Sequence, residues 1–290
     1  MTRIDQLLAA GPTWSFEFFP PKTPEGMASF DRAVADLATL EPSFVSITYG
    51  AMGRTRDTTR DLVLRVDAEQ PFPAMPHLTC VGHRRSELVE LLEAYRDHGV
   101  VNVLALAGDP PETGEAEGDF TYATELIELI REVGDFSVGV AAFPELHPRS
   151  PDRATDRRHL ADKLALADFG MTQFFFDVAH YARLVEELAE LGCERPILPG
   201  VMPFVSVSGT RRMAAVNDAV IPDDLQRRMD EVDGDAEATR RLGVEVATEL
   251  IAGLLDLGVP GVHIYAMNRA TSINEIYAAL GIGSGGSAAS

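Results

Sequence analysis

Cysteine and lysine are the scarce residues of this 290-residue chain. The two cysteines, Cys80 and Cys193, follow no metal-ligand or redox spacing and make no disulfide framework. Lysine occurs only at Lys22 and Lys163, so arginine supplies every other fixed positive charge on a side chain. Positive charge is short altogether: 25 Lys and Arg stand against 45 Asp and Glu, a formal net charge of -20. A chain this acidic repels nucleic-acid phosphates and anionic membranes, and neither is expected as a partner. No apolar run reaches membrane-spanning length, and Met1 to Gly11 lacks the apolar core of a signal peptide. A soluble, cytoplasmic protein is therefore expected. The histidines show no H-x-x-x-H or cysteine-paired spacing, so no metal site is expected. A P-loop, a G-x-S-x-G elbow and a G-x-G-x-x-G turn are all missing, which argues against the nucleotide and hydrolase folds they mark.

What is present is one rhythm. Hydrophobic residues make up 46% of the chain, enough for a large core. Strand-like runs are read at Trp14–Phe19, Phe44–Gly50, Ala74–Thr79, Val101–Leu106, Ser137–Phe143, Met171–Phe176, Pro196–Met202 and Gly261–Met267. Helical periodicity fills the gaps: Pro24–Leu40, Thr58–Ala68, Arg85–His98, Tyr122–Val133, Asp152–Ala167, Val178–Leu191, a region broken near Ile221–Asp224, Ala236–Leu257 and Ser272–Leu280. Strand–helix alternation at a spacing of about 30 residues implies parallel strands, and eight such units fit a single-domain α/β (β/α)8 TIM barrel over residues 1–280. A doubly wound open sheet is the alternative. Residues 281–290, rich in Gly, Ser and Ala, are expected to form a disordered tail.

The stretch Trp14-Ser15-Phe16-Glu17-Phe18-Phe19-Pro20-Pro21-Lys22 stands out. Its single carboxylate, Glu17, lies among four aromatics. Burial there would raise its pKa and suit it to general-acid work. A strand-end Glu pointing to water is the competing reading. In a barrel, catalytic groups gather at the carboxyl ends of strands. Those ends hold Glu17, Thr48, His77, Asp109, Glu145 with His147, Gln173, and Asn268 with Arg269.

Seven segments occur in one order: Phe16–Thr23, Phe44–Ala51, Pro76–Cys80, Leu106–Pro111, Ala141–Pro148, Thr172–Asp177 and Leu198–Pro203. Together they resemble the bacterial 5,10-methylenetetrahydrofolate reductase family, from about Trp14 to Leu280. The resemblance implies a barrel that reduces 5,10-methylenetetrahydrofolate to 5-methyltetrahydrofolate with NADH or NADPH, the hydride passing through bound FAD in a ping-pong scheme and the product feeding methionine synthesis. It implies catalytic roles for Glu17, as proton donor, and Asp109. It implies FAD contacts from Thr48, Tyr49, His77, Gly108, Asp109, Tyr122, Ala123, His147, Asp156 and Lys163. It implies folate contacts from Glu17, Asp109, Gln173 and Arg269, and a homo-oligomer. The chain departs from the family pattern at Ala107, where arginine is common before Gly-Asp. It departs again in the segment after Lys163, which is one residue short, and at Ser206, Gly209 and Met213. A flavin-independent route from NAD(P)H to the same folate is one alternative. A non-redox one-carbon transferase barrel, or a folate- or flavin-binding protein without turnover, is another.

Overall fold

The computed structural model describes residues 2–49, 56–108 and 118–283. Eight parallel strands close on themselves in sequence order: β1 (Thr13–Phe18), β2 (Phe44–Ile47), β3 (Ala74–Thr79), β4 (Asn102–Leu106), β5 (Ser137–Ala142), β6 (Phe169–Phe174), β7 (Ile197–Val201) and β8 (Gly261–Tyr265). The closing pair is β1 with β8, in register from Thr13↔Gly261 to Glu17↔Tyr265. The helices are α1 (Ile4–Ala10), α2 (Pro24–Ala38), α3 (Arg56–Glu69), α4 (Arg85–Asp97), α5 (Ala123–Val133), α6 (Arg153–Leu166), α7 (Val178–Glu190), α8 (Val207–Val216), α9 (Asp223–Val232), α10 (Ala236–Asp256) and α11 (Thr271–Leu280). This is the expected single-domain (β/α)8 barrel. Asp109, and most of the tail expected at 281–290, lie outside the described residues. Among the described residues no helix is long and apolar enough to cross a membrane.

Most expected elements stand within a residue or two of their limits, the usual fraying of ends. β6 is shifted as a whole, by two residues toward the N-terminus. It begins at Phe169, because the Asp168 N–H already bonds Val138 O, and it ends at Phe174 after a bulge. Phe175 and Phe176 leave the ladder. Phe19 likewise lies beyond β1 and is 40% exposed.

Helix α1 has no counterpart in the sequence reading. Its N-cap, Arg3, makes no side-chain capping bond. The orphan N–H groups of its first turn are satisfied from far along the chain: Ile4 N–H donates to Asn102 Oδ1 at 2.8 Å and Asp5 N–H to Ser137 Oγ at 3.1 Å. Asn102, at the start of β4, also donates through Nδ2 to Thr2 O at 2.9 Å. Ile4 thereby enters an apolar cluster with Phe44, Met75, Leu104, Phe169, Met171 and Leu198 at the amino end of the cylinder. That cluster plugs the barrel from below. The larger core lies outside the cylinder, where Phe16, Phe18, Val45, Ile47, Val262 and Ile264 pack against the helix layer.

Candidate active site

Side chains of a strand alternate between faces. On β1 this settles where Glu17 points. Phe16 and Phe18 face outward, against Tyr277 and Phe30 respectively. Glu17, with Ser15, faces into the lumen. The expectation of a carboxylate surrounded by aromatics is therefore corrected: its neighbours are polar. Glu17 Oε2 lies 3.3 Å from His263 Nε2 and 3.4 Å from His77 Nε2. The Glu17 side chain is 12% exposed, His77 is 10% and His263 is fully buried.

His263 is held from several sides. Its Nδ1 lies 2.8 Å from Ser15 Oγ, its Nε2 is 3.3 Å from Ser46 Oγ, and its ring stacks on Phe44. With a carboxylate at Nε2, the consistent neutral tautomer carries its proton there and donates it to Glu17. Nδ1 then accepts from the Ser15 hydroxyl. His77 is the less satisfied imidazole. Its buried Nε2 makes no hydrogen bond although Glu17 is near.

The electrostatics correct the second half of the same expectation. Burial pushes the Glu17 carboxyl up, but His77, His263 and Ser46 together outweigh it and hold the group below its usual range. Burial also holds His77 below its ordinary value, with the pull of Glu17 only a partial offset. These two shifts work against each other, since an imidazole that stays neutral lends no charge. The hydrogen bonds from His263 and Ser46 to Glu17 do not depend on that charge, and they act in the same lowering direction. Near neutrality the ligand-free site is a carboxylate flanked by His77 in its neutral form.

Tyr265, opposite Glu17 in the register, completes the lumen floor. Burial, and next to it the Glu17 carboxylate, raise its pKa well above the ordinary phenol value, so it stays a neutral donor. Its hydroxyl donates to Thr172 O at 3.1 Å and lies 3.3 Å from Gln173 Oε1. The ring has room because residue 200 is glycine: a Cβ there would sit 2.9 Å from Tyr265 and 2.3 Å from Thr172 O. Gln173 Nε2 in turn donates to Asn217 Oδ1 at 3.0 Å, tying β6 to the connection between α8 and α9. Glu145 holds the same connection through the Val220 N–H at 3.2 Å.

The structure thus joins Glu17, His77 and Gln173 at one mouth. His263, Ser15, Ser46 and Tyr265 belong to the same constellation and were missed from sequence. The signal was available, because Val262-His263-Ile264-Tyr265 alternates with the period of β8. Arg269 stands apart on the rim, after β8, exposed.

The residues assigned to FAD spread along the carboxyl ends of β2 to β5 and the start of α5 and α6. The Thr48 N–H is bonded to Phe18 O, and Tyr49 packs edge-on against His83. Gly108 adopts φ 89°, and a Cβ there would come within 3.0 Å of the Thr79 Cβ. Tyr122 is 66% exposed at the N-cap of α5, directly before Ala123. The His147 ring packs on Phe143, and its Nδ1 accepts from the Arg149 N–H. Asp156 accepts from the Ser150 hydroxyl at 2.8 Å and from Arg157 at 2.5 Å. Lys163 Nζ donates to Ala141 O at 2.6 Å, and burial, partly offset by Asp156, lowers it to about 8.

Among the described residues of this arc, Arg157, Arg153 and Lys163 are already engaged, which does not suit a flavin's diphosphate, while Arg149 in the connection after β5 is exposed. A diphosphate needs uncommitted cations. Arg157 is engaged by Glu187, by Asp156 and by the carbonyls of Phe143, Pro144 and Glu145. Arg153 is held by Glu187 and by Glu145 O. Lys163 is buried on a carbonyl, and residue 107 is alanine.

Comparison with known proteins agrees with the architecture. Residues 3–281 match the profile of the family described as methylenetetrahydrofolate reductase. The chain is 35% identical over 269 residues to the 5,10-methylenetetrahydrofolate reductase of Pectobacterium carotovorum, covering 92% of this chain and 90% of that one. It is 35% identical over 270 residues to the enzyme of the same name from Escherichia coli, with the same shares covered. It is 33% identical to methylenetetrahydrofolate reductase (NADH) 1 of Arabidopsis thaliana, where it spans 97% of this chain and 50% of the plant protein. Among solved structures, a Clostridium thermocellum protein described as binding two copies of 5-methyl-5,6,7,8-tetrahydrofolic acid shares the fold, with TM-score 0.63, 15% identity and 95% of this chain covered against 96% of its own. On the family match and these identities, the chain belongs to the methylenetetrahydrofolate reductase family of oxidoreductases.

Proposed function

We propose that this chain reduces 5,10-methylenetetrahydrofolate to 5-methyltetrahydrofolate with hydride from NADH or NADPH, and that Glu17 delivers the proton the reaction requires. The observation that carries the proton role is the Glu17 carboxylate, set between two imidazoles at the barrel mouth. Family membership carries the reaction.

The chemistry balances around that group. A proton placed on N10 of the folate breaks its bond to the bridging carbon and leaves an iminium at N5. Hydride then adds to that carbon and makes the methyl group. Glu17 sits in a lumen where covering the mouth with a pterin removes water and lifts the carboxyl toward its protonated form. The His263 N–H fixes Oε2 in place, and the neutral imidazole of His77 lies within reach to return a proton. Tyr265 and the Gln173 amide offer hydrogen-bonding groups to the pterin edge. Asp109, outside the described residues, is assigned from the resemblance to set a negative charge beside the cationic iminium. Arg269 is assigned to a carboxylate of the substrate's glutamate.

Two routes carry the hydride. The resemblance implies bound FAD as carrier; the engagement of Arg153, Arg157 and Lys163 is the observation on the side of direct transfer from the nicotinamide to the folate. The fresh protein's visible spectrum separates them. A yellow protein bleached by NAD(P)H and restored by the folate supports the flavin route. A colourless protein that oxidises NAD(P)H only when the folate is present supports the direct one. The whole proposal is overturned if neither nucleotide is oxidised in a folate-dependent way, with or without added FAD, or if no 5-methyltetrahydrofolate accumulates.

A further inference from the structure

The connection from α8 to α9 is held firmly at the mouth. Met213, Ala219 and Ile221 pack it against Phe174, Met202 and Ala214. Glu145 accepts from its Val220 N–H. The backbone turns at Asp218, where φ is 50°, a left-handed value that non-glycine residues keep when their surroundings enforce it. Directly before that turn stands Asn217, the residue that closes α8.

The Asn217 amide has one possible direction. Its Nδ2 donates to Met213 O at 2.9 Å, and a carbonyl only accepts. Its Oδ1 is therefore the atom that meets Gln173, accepting from Nε2 at 3.0 Å. The far side of Gln173 gives the same answer independently. There Oε1 accepts from the Phe174 N–H at 2.9 Å, and a backbone N–H only donates. Two backbone groups, one at each end, thus align both amides head to tail. Flipping either amide would set donor against donor or acceptor against acceptor.

This alignment decides what Gln173 can offer a ligand. Its oxygen is filled by the Phe174 N–H and by the Tyr265 hydroxyl at 3.3 Å. One of its two N–H groups goes to Asn217, and among the described residues the other has no partner. Gln173 has a donor to give and no acceptor. Without Asn217 the amide would regain rotamer freedom, which binding would have to remove.

We infer that Asn217 is a positioning residue that holds Gln173 as a one-way donor, so that the mouth selects the pterin edge presenting an acceptor, a ring carbonyl or an unprotonated ring nitrogen. The inference rests on the folate reading above. Asn217 acts through Gln173 and not on the substrate itself.

The test is equilibrium binding of 5-methyltetrahydrofolate, which requires no turnover, arranged as a double-mutant cycle. Asn217→Ala should weaken binding about fivefold, the scale of one neutral hydrogen bond. Asn217→Ser is too short to reach Gln173 but keeps a hydroxyl for the Met213 carbonyl, and it reads the same loss if the alanine variant is unstable. Gln173→Ala should lose at least as much. Adding Asn217→Ala to Gln173→Ala should then cost less than a further twofold or so, since the amide it steadies is gone. Gln173→Glu keeps the length and only accepts near neutral pH, so it should bind no better than Gln173→Ala. Val216→Ala, an exposed neighbour of Asn217, should bind as the parent does. Losses that multiply in the double variant would make Asn217 a structural residue and overturn the inference. So would parental affinity in the Asn217 variants or in Gln173→Ala, tighter binding by Gln173→Glu than by Gln173→Ala, or an equal loss in Val216→Ala. Each of these leaves the reductase reading intact. A parent protein that does not bind 5-methyltetrahydrofolate overturns both.

Discussion

The two ends of the cylinder are built by the same strands and do opposite work. At the amino end, the lumen positions are Phe44 on β2, Met75 on β3, Met171 on β6 and Leu198 on β7, sealed by Ile4 from α1. Two residues further along, the same faces carry Ser46, His77 and Gln173. A strand puts every second residue on one face, so a two-residue step changes the layer without changing the direction. The lower layer is dry and gains stability from packing. The upper layer carries ionisable groups that burial alone would penalise, and it is held by hydrogen bonds between the neighbouring strands β1 and β8, from Ser15 to His263 and from His263 to Glu17. This division matches the general rule that barrels place chemistry at the carboxyl face and stability at the other.

If the division is real, substitutions at the mouth alter the reaction and those at the base alter the fold. The largest effect belongs to Glu17→Gln, which should slow folate reduction by about 10²-fold or more while leaving thermal unfolding close to the parent. The pH profile sharpens this. Glu17 is held low, so its proton is lost as pH rises from the acid side. Folate turnover should fall in that direction, and the slope should vanish in Glu17→Gln. A variant with parental folate turnover would remove the acid role.

Ile4→Ala probes the opposite end. Emptying that fully buried site should lower stability by about 2–5 kcal/mol, measured by denaturant unfolding. KM for the folate should stay at the parental value; a raised KM would mean that the plug and the mouth are coupled.

Tyr265→Phe tests the upper layer more gently. It removes the donor to Thr172 O, a loss of about 1 kcal/mol in stability. A several-fold loss of kcat/KM would place the phenol among the substrate contacts, and no kinetic change would confine it to structure.

The smallest effect is expected outside the cylinder, at Glu187. Burial opposes its charge, but bonds from Arg157, Arg153 and Arg183 outweigh it and lower the carboxyl to about 2. A lowered carboxylate adds stability above its unfolded pKa and loses it as pH falls through the folded one. Glu187→Gln should therefore lower Tm by about 2–4 °C at neutral pH, an exposed network being screened by water. The difference should fade between about pH 5 and pH 2. A constant difference across that window would assign the loss to packing.

The order of strands and helices was legible because it is written locally. Pro24 and Thr23 open α2, and Asp152 and Asp177 cap α6 and α7 with their own side chains. Helix α1 was not legible, since its capping groups, Asn102 and Ser137, lie about a hundred residues away in sequence. The β6 limits slipped because the run Phe174-Phe175-Phe176 offers no alternation, and the ladder to β5 fixed its start. Half of the site was legible: Glu17, His77 and Gln173 lie at strand ends. Its partners on β8 were passed over, because nothing in Val262–Tyr265 says that β8 closes against β1.

By itself the sequence determined the number of α/β units and the family, because strand length, turn residues and motif order are properties of short stretches. The surroundings of Glu17 were decided only by closure of the sheet. Read along the chain, Glu17 sits among phenylalanines and should resist ionising. Read across the barrel, the pleat sends Phe16 and Phe18 outward and brings His77 and His263, about 60 and 246 residues away, against its carboxylate. The physical reason is that a charge responds to what is near it in space, and proximity in space is set by the ring of strands.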